Sequence, residues 1–178
     1  MSGPGTLEWS TEVADLVAGP VAMALAGWPR AAELRAAAID PDLADTAAFC
    51  ARYDVALEDS ANCVVIAGRR GDVVSYAACV VLATTRADVN GIVRRQLDAR
   101  KASFAPMADA VQRSGMEYGG ITPIGLPPSW RVLVDAAVLT RDVVVIGSGL
   151  RRSKLALPSA ALVDLPGAEV LDGLAAPT

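Results

Sequence analysis

The chain holds 178 residues, 53% of them hydrophobic and 20% charged, with a net charge of −4 and no histidine. That is the composition of a globular domain long enough to bury a sizeable core, and it excludes a disordered chain. The missing imidazole excludes Ser-His-Asp and Cys-His catalysis and histidine-held metals, and the acidic balance is no signature of general nucleic-acid affinity.

Residues 7 to about 49 read as helical and alanine-rich. Leu16, Val17 and Pro20 close a first segment, and Ala31 to Ala38, carrying Leu34, is a strong helix-forming run. Asp40-Pro41-Asp42 breaks the pattern, with Asp40 or Asp42 as the cap of the next segment. Residues 1–44 are therefore expected to be a helical N-terminal extension, and residues 45–178 the main domain. Thr46 to Cys50 leads through Tyr53 and Val55 into that body.

From Asn62 the character changes to β. Cys63 to Ala67 and Val73 to Ala83 are apolar, β-branched runs around the turn Gly68 to Asp72, which predicts a hairpin. Asp88 caps a predicted helix whose Val89, Ile92, Val93 and Leu97 share one stripe. Ala102 to Ala105 is a strand candidate, Pro106 opens another helix at its tolerated first position, and Ser114-Gly115 ends it. Val132 to Asp135, Val143 to Gly147 and Lys154 to Leu157 are three further strands. Pro158 starts a last short helix, and Pro166-Gly167 makes a turn. Hairpins and helical connections together predict an α/β (α+β) domain with a mixed sheet.

Between the Pro106 helix and the later strands lies Gly119-Gly120-Ile121-Thr122-Pro123-Ile124-Gly125-Leu126. Its glycines admit positive φ and close approach to the main chain, and its proline fixes φ and removes a donor. A rigid, main-chain-lined surface of this kind grips a small substrate without a catalytic side chain. Basic residues cluster at Arg69-Arg70, Arg94-Arg95, Arg100-Lys101 and Arg151-Arg152 with Lys154. Each cluster reads as a solvated face unless the fold brings several together. Cys50, Cys63 and Cys79 are odd in number and lack CxxC spacing, which argues against a disulfide framework and a zinc site. Cys63 and Cys79 read as small buried hydrophobes. No cofactor and no metal are expected. No apolar run has the length of a membrane span and the N-terminus lacks a basic leader, so a cytoplasmic protein is expected.

Residues 45 to 173 resemble the YbaK/prolyl-tRNA-synthetase-associated editing-domain family. The resemblance rests on the order of elements, on Gly-Gly-Ile-Thr-Pro-Ile-Gly at 119–125, and on Gly147-Ser148-Gly149-Leu150-Arg151 before the last long strand. It implies a mixed, largely antiparallel, curved sheet surrounded by helices. It also implies hydrolysis of the ester joining a wrong amino acid to a tRNA 3′ end, by a free-standing protein or one working with an aminoacyl-tRNA synthetase.

In those terms Gly119, Gly120, Thr122, Pro123 and Asn62 are the catalytic candidates. Cys63, Ile121, Gly125, Lys101, Asp135, Gly147, Ser148, Gly149 and Arg151 are the candidates for holding substrate. A hydroxyl of the tRNA is expected to assist. The family carries a lysine in its first strand, and here Asn62 or Cys63 stands in its place. Lys101 or Arg151 is then the candidate for restoring the lost charge. Without it, the chain reads as a binding module for tRNA 3′ ends or a synthetase. Glu117 is a candidate base only with a raised pKa, and Tyr118 reads as packing before stacking.

Overall fold

The computed structural model describes residues 3–178. The predicted hairpin forms the centre of the molecule. Strands β2 (Ala61–Arg70) and β3 (Val73–Leu82) pair antiparallel over their whole length, from Ala61 opposite Leu82 to Arg70 opposite Val73. Strand β5 (Lys101–Phe104) adds antiparallel to β2, while β6 (Arg131–Asp135) and β9 (Ala168–Leu171) continue the sheet in parallel beyond β3. The order is thus β5-β2-β3-β6-β9.

Strand β3 reads as a continuous apolar run because both its faces are covered. Val80 and Leu82 join one core cluster, and Ala77, Cys79 and Val81 join another.

A second, antiparallel sheet has the order β1-β8-β7, from Arg35–Ala38, Ser153–Pro158 and Val143–Gly147. A parallel bridge between Ser60 and Val145 ties it to the start of β2. A two-stranded ribbon pairs β4 (Thr85–Ala87) with β10 (Ala175–Pro177). Among the described residues the α-helices are α1 (Gly19–Leu25), α2 (Thr46–Tyr53), α3 (Arg94–Gln96) and α4 (Met107–Ser114). Asp88 caps a π-helical turn, Val89–Val93, that runs into α3. Gly115 closes α4 in the left-handed conformation.

The predicted helix over Ala31 to Ala38 is corrected by the structure. Ala31–Glu33 is a 3-10 turn, and Arg35–Ala38 is strand β1, paired with β8. Alanine's helix propensity amounts to tenths of a kcal/mol per residue, and burial of Ala36 and Ala37 in the ladder overrides it. Asp40 caps only the 3-10 turn Pro41–Leu43; Asp45 caps α2, accepting the N–H groups of Ala47 and Ala48.

The segment ahead of residue 45 also builds the main core. Val21, Leu25, Trp28 and Leu34 pack with Val134, Ile146, Leu155 and Leu157 in one cluster. Leu34 is 1% exposed. Leu34→Ala is expected to lower the unfolding free energy by about 2–5 kcal/mol, read from denaturant titration. A shift under about 0.5 kcal/mol would show that the N-terminal segment merely rests on the domain.

Candidate active site

One cleft, of about 510 Å³, collects residues from distant parts of the chain. Its walls are Ala44 and Asp45 with Thr46 at the start of α2, β2 from Ala61 to Val65, Phe104 at the end of β5 and Ala105 after it, Met107 and Ala110 of α4, and the end of β7 with Lys154. Tyr118, Gly119 and Ile121 close it from the glycine loop.

The loop is held from behind by the turn between β7 and β8. The Gly149 N–H donates to the Gly120 carbonyl at 2.7 Å, and the Glu117 N–H to the Gly149 carbonyl at 2.9 Å. A Cβ on Gly147 would lie 2.5 Å from the Gly120 oxygen and 2.8 Å from the Ile121 oxygen, and a Cβ on Gly120 would lie 2.6 Å from the Leu150 oxygen. The two glycines permit this approach of one main chain to another; a side chain at either would push the segments apart. Arg151 braces the same unit. Its guanidinium donates to the carbonyls of Tyr118 and Pro41, and its N–H donates to the Glu117 carboxylate at 2.6 Å.

Of the candidates from the sequence, the structure brings Asn62, Cys63, Gly119, Ile121 and Gly147 to the cleft. The Thr46 hydroxyl donates to the Asn62 amide oxygen at 2.6 Å, fixing Asn62 to the first residue of α2. Burial pushes the Cys63 thiol up, so it stays protonated and is no nucleophile at neutral pH.

Gly120, Thr122, Pro123, Ser148 and Gly149 are buried and do not line the cleft. Thr122 is fully buried, and its hydroxyl has no hydrogen-bond partner among the described residues. Gly125 packs against the Pro20 carbonyl of α1. Ser148 bonds to Ser153 and to the Leu150 N–H.

Asp135, a candidate for holding substrate, lies apart from the cleft lining and is buried. It caps the 3-10 turn Ala136–Thr140, and burial pushes its carboxyl up. Arg151 is a brace and does not line the cleft. Nor does Lys101, which faces a separate recess of about 710 Å³ lined also by Arg69, Arg94, Arg100 and Asp109. Strand β5 connects the two, with Lys101 to Ser103 on the recess and Phe104 on the cleft, about 10 Å apart along the strand.

Lys154 is the cleft residue that the sequence reading missed as a site candidate. It is 7% exposed, its ammonium donates to the Ala44 carbonyl at 3.1 Å, and it lies 5.1 Å from the centre of the Phe49 ring. Burial lowers its pKa from the usual lysine range, and nearby Arg151 adds to this; Cys50 and the Asp45 carboxylate oppose it. The signal was present: a single charge inside the apolar strand Lys154-Leu155-Ala156-Leu157 is the pattern of a buried, constrained cation. Tyr118 and Phe104 are 58% and 60% exposed at the cleft, so neither is a packed core aromatic.

The sequence matches the aminoacyl-tRNA editing domain over residues 40–165, and the chain belongs to that family. Among curated proteins none matches at a significant level.

Solved structures share the fold. A proposed trans-editing enzyme for prolyl tRNA synthetase superimposes with a TM-score of 0.72 at 18% identity, over 86% of this chain and 93% of that one. The hypothetical protein APE2540 gives 0.69 at 22% identity, over 80% of this chain and 91% of that one. A structure from a study of epitope backbone grafting on scaffold proteins gives 0.73 at 20% identity, over 87% and 95%.

Proposed function

We propose that the protein is a free-standing aminoacyl-tRNA deacylase, which hydrolyses the ester between a mischarged amino acid and the 3′ end of a tRNA. The observation that carries this reading is the convergence of β2, the glycine loop and the end of β7 on one cleft within an editing-domain fold. The main chain around Gly119 and Ile121 positions the aminoacyl group and the attacking water. Fixed main-chain dipoles stabilise developing charge without a side-chain base, and a ribose hydroxyl of the substrate assists. Exposed Phe104 and Tyr118 offer stacking faces for the terminal adenine. A panel of mischarged tRNAs tests the proposal. Deacylation well above a buffer control is expected for at least one pair, and its absence for every pair would contradict it.

Arg69, Arg94, Arg100 and Lys101 supply phosphate contacts beside the cleft. Four such contacts give a slope of about −3 in log affinity against log salt. Arg100→Glu with Lys101→Glu is expected to flatten that slope by about 2 in filter binding, and an unaltered slope would place the RNA elsewhere.

A second reading, a module that holds tRNA 3′ ends without turnover, is favoured by the neutral, Thr46-bound Asn62. Tight tRNA binding with no deacylation would select it.

A further inference from the structure

We infer that Lys154 is the catalytic cation of the cleft: its ammonium binds the carbonyl oxygen of the aminoacyl ester and stabilises the negative charge that collects there during hydrolysis. This rests on the deacylase reading and adds a residue and a role to it.

The geometry begins with strand register. Lys154 on β8 pairs with Gly147 on β7, and directly paired residues project to the same face of a sheet. The side of Gly147 that lacks a side chain faces the Gly120 and Ile121 carbonyls of the loop. Lys154 therefore rises from the face against which the loop is packed, and it lines the cleft with Gly119 and Ile121.

Its ties within the fold are the Ala44 carbonyl and the face of the Phe49 ring. An ammonium carries three donors, and within the protein Lys154 uses one, to the Ala44 carbonyl. None of the described ion pairs includes it. The charged and titratable groups that act on it are Asp45 and Cys50 from α2 and Arg151 from the turn before β8. The Asp45 carboxylate is occupied in capping α2. Burying a lysine with one hydrogen bond, one aromatic ring face and no ion pair among the described residues is costly. Such a group at the wall of a cleft has the character of a functional one.

The step balances without another reactant. Water adds to the ester carbon, and the carbonyl π pair moves onto the oxygen facing the ammonium. Collapse re-forms the C=O bond and breaks the bond to the ribose oxygen, which leaves with a proton from the attacking water. The products are the free amino acid and a tRNA with its hydroxyl restored. Lys154 keeps its protons throughout.

The test is steady-state deacylation by the full chain of whichever mischarged tRNA it turns over best, comparing Lys154→Met and Lys154→Arg. The Met variant is expected to lose about 100- to 1,000-fold in kcat, as for removal of an oxyanion donor, with KM little changed. The unaltered protein requires the ammonium. Its rate, corrected for spontaneous hydrolysis, should therefore fall as pH rises through the lowered lysine pKa. The Arg variant should keep measurable turnover without that alkaline limb. An unaltered kcat in Lys154→Met, or a loss confined to KM, would overturn the assignment. Should the Met variant melt early, the alkaline limb decides: its persistence in Lys154→Arg would also overturn it. Turnover by the unaltered protein that survives Lys154→Met sinks this inference alone, whereas no turnover by the unaltered protein sinks it together with the deacylase reading.

Discussion

Gly147→Ala is expected to destabilise the protein by about 1–3 kcal/mol and to lower deacylation about 100-fold. The new Cβ would sit 2.5 Å from the Gly120 carbonyl oxygen, a contact with main chain that no rotamer change relieves. Either β7 or the glycine loop must move. The loop is the weaker partner, because its tie to the β7–β8 turn is a short set of hydrogen bonds. A displacement of about an ångström at Gly119 and Ile121 misplaces the ester against the water that attacks it, which is the source of the 100-fold figure. Denaturant titration and single-turnover kinetics separate the two effects. Full activity in a destabilised Gly147→Ala protein would show that the loop does not set the reacting geometry.

Thr122→Val is expected to act in the opposite direction and raise the unfolding free energy by about 1–3 kcal/mol. The Thr122 hydroxyl is fully buried without a partner among the described residues, and it does not line the cleft. Valine keeps the branched shape and removes the unsatisfied group, so the desolvation cost vanishes while packing is retained. An equilibrium denaturant titration reads the change. Lower stability in the valine variant would mean that the hydroxyl has a partner in solution, and with it a reason for a threonine inside the loop.

The parts of the fold that were legible in the sequence are those written in local chemistry. The β2–β3 hairpin follows from two β-branched runs around Gly68 to Asp72, and α4 from Pro106 and Gly115 at its ends. The glycine loop was legible for the same reason. Strand β1 was not, because Arg35–Ala38 becomes a strand only through its ladder with β8. The short strands β4, β9 and β10 carry no clear alternation and depend on neighbours distant in sequence.

The site divides along the same line. Asn62, Gly119 and Gly147 carry motif or strand-start signals, and the cleft takes them in. Asp135 was a candidate for holding substrate, yet it is buried and caps the turn Ala136–Thr140, which gives it a structural task. Lys154 stood out in composition, but its place opposite Gly147 is a matter of register, which sequence spacing does not contain. The convergence of Arg69, Arg94, Arg100 and Lys101 on one recess is likewise a product of pairing between β2 and β5.

The most direct test of the deacylase site is a crystal structure of the full chain with a non-hydrolysable 3′-aminoacyl-adenosine analogue. The aminoacyl group is expected in the cleft between β2 and Gly119–Ile121, its carbonyl oxygen toward Lys154, and the adenine at Phe104 and Tyr118. Binding of the analogue elsewhere, or an aminoacyl group turned away from both the loop and Lys154, would contradict that placement.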